Sequence, residues 1–219
     1  MNTHRQPAVA DLLDALFRDA EQADLPTLQR IRALAPEARA ALQADYKRMY
    51  ASARDAYLPV SRETGELLYV LAVARDARHL VEFGTSFGIS TIYLASALRD
   101  NGVGRLVTTE LEASKAERAR RHLASVALDG PVDFRVGDAL ETLAELPGPV
   151  DFVLLDGAKS LYLDILRMLE PRLAPRAVIV ADNIDMTERV ADYTAHVRDA
   201  ARGYVSSRVG SLEVSVWTR

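Results

Sequence analysis

The chain reads as an α/β fold: a mostly parallel sheet with helices on both faces, finished by an antiparallel hairpin strand. Three observations predict it. Short apolar runs recur at 79–83, 105–110, 132–136, 150–155 and 177–181, and segments of helical periodicity separate them. The run ending in Val81-Glu82-Phe83 stops in Gly84-Thr85-Ser86-Phe87-Gly88 and opens into apolar positions at helical spacing, Ile89, Ile92, Tyr93, Leu94 and Leu98. Near the C-terminus, 204–209 and 212–218 flank Gly210-Ser211, a two-residue hairpin signal. With both hairpin arms the sheet has seven strands.

In chain order, 8–23 places Val9, Leu12, Leu13, Leu16 and Phe17 on one helical face. Pro26 starts a further short helical piece, and Pro36 a longer one through Ala56. No strand lies between these segments, so 1–57 is expected to be a helical cap or dimer arm, or an extra helical layer, on a main unit over 58–219. Ser61 is an N-cap for a helix from Arg62 to about Asp76. Helices are then expected at 88–99, 112–127, 138–146, 159–173 and 187–201.

Composition narrows the function classes. A net charge of −4 argues against nucleic acid as the main partner. The absence of cysteine excludes disulfides, thiolate catalysis and Cys-ligated zinc. No run approaches the ~18 apolar residues that would span a bilayer, and the first residues lead into an amphipathic segment rather than a signal core. The expectation is a cytoplasmic protein without a membrane partner, and the amphipathic N-terminal arm suggests a homodimer.

Functional candidates fall at the carboxyl ends of successive strands, where open α/β sheets bind ligands. The turn itself has Gly84 and Gly88, with a helix N-terminus aimed into it. A dinucleotide fingerprint needs glycine where Ser86 stands, so a pyrophosphate is disfavoured. Glu82, just before the turn, would repel phosphate and attract an ammonium. Glu110 lies 22 residues beyond Gly88 and suits the two hydroxyls of a ribose. Asp138-Ala139, after the third strand, could meet an adenine edge. Asp156, with Asp182 and Asn183, offers hard oxygen ligands suited to Mg²⁺ or Ca²⁺; the alternative is that Asp182-Asn183 is a polar turn capping the helix after 187. Lys159 is either a general base beside such a metal or a solvated lysine at a helix start.

The order Val81-Glu82-Phe83-Gly84…Gly88-Ile89-Ser90, Glu110, Gly137-Asp138-Ala139, Asp156-Gly157-Ala158-Lys159…Tyr162 and Ala181-Asp182-Asn183 resembles class I S-adenosylmethionine-dependent O-methyltransferases of the catechol and caffeoyl-CoA type, over roughly 58–219. The resemblance implies a Rossmann-like methyltransferase fold and S-adenosylmethionine as cofactor. It places Glu82 and Ser90 at the methionine end, Gly84 and Thr85 along it, Ser86 and Gly88 in the same turn, Val60 at a further contact, Glu110 at the ribose and Asp138-Ala139 at the adenine. It implies metal ligands at Asp156, Asp182 and Asn183, with Asp156 also beside the cofactor, and catalysis by Lys159 and Asp156 on a small hydroxylated acceptor. The chain departs from the family in carrying Gly157-Ala158 before the lysine, and in a shorter, charged stretch, Ile184 to Arg189, where relatives carry an apolar tryptophan-containing loop. Other functions consistent with the residues are a metal-independent O- or N-methyltransferase, a nicotinamide-dependent oxidoreductase and a non-catalytic cofactor-binding protein.

Overall fold

The computed structural model describes residues 2–219. Its seven-stranded sheet contains β1 (His79–Phe83), β2 (Arg105–Glu110), β3 (Val132–Val136), β4 (Val150–Leu155), β5 (Leu173–Ala181), β6 (Tyr204–Val209) and β7 (Leu212–Trp217). The spatial order is β3-β2-β1-β4-β5-β7-β6, parallel through β5 and antiparallel for the last two strands. The direction of winding reverses between β1 and β4, which opens a crevice above their carboxyl ends. Phe83 pairs with Leu155, and Asp156 N donates to Phe83 O at 2.9 Å. Gly84 and Asp156, 72 positions apart in the chain, are thereby made neighbours.

Strand side chains alternate between two cores. Leu80, Leu106, Phe152, Leu154 and Val180 face α1 (Pro7–Arg32), α4 (Arg62–Ala74), α5 (Ile89–Asn101) and α6 (Ala113–Ser125). Val81, Val107, Val153, Leu155 and Ile179 face α8 (Tyr162–Leu169) and α9 (Thr187–Arg198). β4 is buried at every residue, and each large apolar side chain there stabilises by about 1.5–3 kcal/mol. α1 contributes Val9, Leu13, Leu16 and Ala20 to the first core.

The helices differ from expectation where a local signal loses to packing. α1 runs through Pro26 instead of breaking there. An interior proline costs a helix about 3 kcal/mol, but Thr27 and Ile31 continue the buried stripe of Leu13, Leu16 and Ala20. Asp24, between them, accepts the backbone N–H of Tyr57 at 2.5 Å and of Leu58 at 2.9 Å, pinning the helix to the following segment. The expected long helix after Pro36 is two, α2 (Pro36–Ala44) and α3 (Tyr46–Ser52). They part at Asp45, whose extended backbone and side-chain bond to Arg48 N make it the cap of α3. The expected helix 138–146 shrinks to α7 (Ala139–Thr142). The one at 159–173 becomes a 3₁₀ turn, α8 and a second 3₁₀ turn around Pro171, so β5 begins at Leu173. None of the helices among the described residues is long and apolar enough to cross a membrane.

Candidate active site

The glycine turn is built by the strand ends around it. Gly84 N and Thr85 N both donate to Thr109 O at 3.2 Å, and Ser86 N donates to Glu110 Oε2 at 2.8 Å. Ser86 adopts φ +47°, a left-handed conformation that glycine takes without strain. It is held there by Glu110 and by its own hydroxyl, which donates to Tyr57 O at 2.5 Å. Gly88 (φ +90°) caps α5, and a Cβ there would stand 3.1 Å from Ala119 Cβ, so its role is close packing against α6.

Glu82 lies beneath this turn, fully buried. Its Oε1 accepts from Ser90 Oγ, and its Oε2 from Thr91 Oγ1 and Thr108 Oγ1, each at 2.6 Å. Ser90 lines the cavity above, so Glu82 reaches it through that hydroxyl. Burial pushes the carboxyl up to about 7, against the opposing pull of the three hydroxyls. The folded state therefore holds this proton more tightly than the unfolded chain, which releases it near 4.5. The contribution is complete below pH 4.5 and is lost as pH rises to about 7, a change of about 3 kcal/mol. Urea-unfolding midpoints between pH 4 and 8 should fall more steeply for the wild type than for Glu82→Gln; parallel curves would contradict the assignment.

Beside the turn, Glu110 accepts a second backbone bond, from Glu112 N at 2.9 Å, and faces the cavity. The Lys115 side chain, buried here, donates to Ala56 O at 2.7 Å and lies 3.4 Å from Ser86 Oγ. Burial holds its ammonium below the usual lysine range. Asp138 caps α7 and accepts Tyr46 Oη at 2.6 Å and Lys47 Nζ at 2.8 Å. Asp138 and Ala139 line a small recess of about 40 Å³, separate from the main cavity, with Tyr46 and Tyr50 bordering both.

At the end of β4, Lys159 Nζ lies 3.0 Å from Asp156 Oδ1, with 10% and 12% of these side chains exposed. Burial pushes Asp156 up to about 6; Lys159 opposes that rise and the charge of Asp182 adds to it. Asp182 is buried, and Asn183 follows at φ +58°. Neither caps α9, whose N-cap is Met186 without a side-chain bond. Groups of three His, Cys, Asp or Glu arranged for a metal are absent among the described residues. A metal here would therefore bind two carboxylates and the Asn183 amide. That all-oxygen set, with Asp156 paired to Lys159 and Asp182 held by Asn183 N and Ser211 Oγ, fits a hard divalent cation.

Both clusters line one cavity of about 680 Å³. Val60, Gly84, Thr85, Ser86, Ser90 and Glu110 line it, and so do Asp156, Lys159, Asp182 and Asn183, the two sets meeting where Gly84 abuts Asp156. Glu82 and Gly88 stand behind the lining.

A family model described as a methyltransferase domain matches residues 81–184. The catechol O-methyltransferase of Mycobacterium tuberculosis is 40% identical over 129 residues, which are 58% of this chain and 57% of that one, so the chain spans less than two thirds of that relative. A protein of Mycobacterium sp. (strain JLS) assigned as an O-methyltransferase is 31% identical over 65% of this chain and 68% of its own length. The chain belongs to the class I S-adenosylmethionine-dependent O-methyltransferases. Among solved structures, the O-methyltransferase TomG of Streptomyces achromogenes, involved in tomaymycin synthesis and in complex with S-adenosylmethionine, superposes with a TM-score of 0.67 at 28% identity, over 92% of this chain and 99% of that one.

Within this O-methyltransferase fold, one departure from the family pattern has a local cause. A Cβ at Gly157 would run into the ring of Phe83. Several site groups escaped the sequence reading. Tyr46 and Tyr50 scan as the apolar face of a helix, yet they roof the cavity. Lys115 carried a signal, a cation in the first turn of α6, where the helix dipole disfavours it. Thr91 and Thr108 carried none.

Proposed function

We propose that this O-methyltransferase transfers the methyl group of S-adenosylmethionine to a hydroxyl oxygen of a small molecule, with a divalent cation, Mg²⁺ or Ca²⁺, at Asp156, Asp182 and Asn183. The observation that carries the reading is the shared cavity, lined both by the glycine turn with Glu110 and by Asp156, Lys159, Asp182 and Asn183. The cofactor lies along Val60, Gly84, Thr85, Ser86 and Ser90, its ribose hydroxyls on Glu110. Each Glu110 oxygen already holds one backbone N–H and has a lone pair left for a hydroxyl. The adenine goes towards Asp138-Ala139, past Tyr46. Glu82 presents negative charge to the methionine ammonium through Ser90, and Gly88 keeps α5 close to α6.

Methyl transfer breaks the sulfonium C–S bond, forms an O–C bond and leaves a neutral thioether. The donor is already activated, so the protein's contribution is positioning and charge. A bound cation would supply Lewis-acid charge that stabilises an acceptor oxyanion. Lys159 Nζ would receive the hydroxyl proton as a neutral amine, having first released its own proton to solvent, and Asp156 Oδ1, 3.0 Å away, holds it in position. That ion pair also favours a second reading, metal-independent transfer, because Lys159 alone already balances Asp156.

Calorimetric titration with S-adenosylmethionine, followed by turnover of a catechol panel with Mg²⁺ or with EDTA, tests both. Binding with EDTA-sensitive turnover is expected. No heat of binding sinks the cofactor assignment, and turnover untouched by EDTA selects the metal-independent reading.

A further inference from the structure

We propose that Ser211, at the tip of the β6–β7 hairpin, is a positioning residue that aims the Asp182 carboxylate into the cavity and thereby strengthens divalent-cation binding by the Asp156–Asp182–Asn183 cluster. The proposal rests on the metal reading above.

Asp182 is held at almost every polar atom. Its N donates to Leu155 O at 3.0 Å, and its backbone O accepts from the buried Tyr162 hydroxyl at 3.1 Å. Its Oδ1 accepts from Asn183 N at 2.7 Å and from Ser211 Oγ at 3.1 Å. Oδ2 has no donor among the described residues, and Asp182 lines the cavity. The Asn183 bond is local and constrains the carboxylate only against its own backbone. Among the described residues, the Ser211 bond is the one bond to the carboxylate itself from outside the 182–186 loop, and it fixes which oxygen stays free.

The hairpin can serve as a brace because it is itself rigid. Val209 pairs with Leu212 across the two-residue turn, and Gly210 takes φ +61°. Arg208 Nε donates to Gly210 O at 2.8 Å. Ile184 N donates to Ser211 O at 2.9 Å, so the turn grips the loop by a second bond. That grip also supports Asn183, whose left-handed backbone persists only where its surroundings over-determine it. Two of the three proposed ligands thus depend on a turn that lies 28 residues downstream of Asn183, on a strand pair at the sheet's edge. Outer hydrogen bonds of this kind orient metal-binding carboxylates before the ion arrives.

The test is a titration of the full chain with Mn²⁺ alone, following free Mn²⁺ by electron paramagnetic resonance, for the wild type, Ser211→Ala and Ser211→Thr. Thermal midpoints are measured alongside. Ser211→Ala should bind Mn²⁺ about tenfold more weakly with an unchanged midpoint, and Ser211→Thr, which keeps the hydroxyl, should bind like the wild type. Equal Mn²⁺ affinity in Ser211→Ala and the wild type overturns the proposal while leaving the metal reading intact. Equal weakening in both variants assigns the effect to turn packing and overturns it too. A wild type that binds no Mn²⁺ removes the metal reading, and the proposal falls with it.

Discussion

Gly84→Ala is expected to destabilise the chain by about 3–5 kcal/mol and to abolish measurable binding of S-adenosylhomocysteine. Two effects add. At φ +108° an L side chain is strained whatever space surrounds it. The new Cβ would also stand 2.7 Å from Asp156 O, 2.8 Å from Asp156 C and 3.0 Å from Gly157 N, all backbone that cannot swing aside. Relief requires β1 and β4 to separate at their carboxyl ends, where Asp156 N bonds to Phe83 O at 2.9 Å. That separation pulls apart the strand ends that carry the glycine turn and Asp156. Gly102→Ala is the control: its φ is +85° but nothing lies within 4 Å, so only backbone strain, about 1 kcal/mol, remains. Urea unfolding and calorimetry compare the two; equal costs would refute the close-approach argument.

The same crevice shows why part of the molecule was readable from the sequence. β1 through β4 occupy the residues their runs indicated. β4, buried at every position, is apolar at all but Asp151, as a strand covered on both faces must be, whereas the edge strand β3 was legible from the alternation of Val132, Phe134 and Val136 with Asp133 and Arg135. The site acids were readable because each sits at the end of such a run, a place defined by neighbours in sequence. Helix boundaries were not. Pro26 is a strong local break, overridden by burial of Thr27 and Ile31, and Asp45 ended a helix through a side-chain cap that its apolar spacing did not reveal. Nor were the groups that condition the acids. Thr108 meets Glu82 across 26 positions, Lys115 meets Ala56 across 59, and Ser211 meets Asp182 across 29. Periodicity has no access to such pairs, since they exist only once the strand order is set.

Asp182→Ala is expected to lower turnover roughly 10²–10³-fold while leaving the affinity for S-adenosylhomocysteine within about twofold of wild type. The split follows from position. The bonds of Asp182 run to Leu155, Tyr162, Asn183 and Ser211 and not to Glu110 or the glycine turn, so the contacts proposed for the cofactor survive its loss. Structure should survive as well. The backbone bonds of Asp182 to Leu155 and to the Tyr162 hydroxyl do not involve the carboxylate. Truncation leaves Asn183 N and Ser211 Oγ without their acceptor, at about 1–3 kcal/mol. Asp182→Asn separates charge from shape: it preserves the acceptor for Ser211 but removes the negative charge. If Asp182 contributes charge towards a cation and the acceptor oxyanion, the asparagine variant should lose nearly as much turnover as the alanine one. If the residue is only a brace for the loop, Asp182→Asn should keep near-wild-type turnover. Retained turnover in both variants would leave Lys159 and Asp156 as the whole proton-handling pair and select metal-independent transfer.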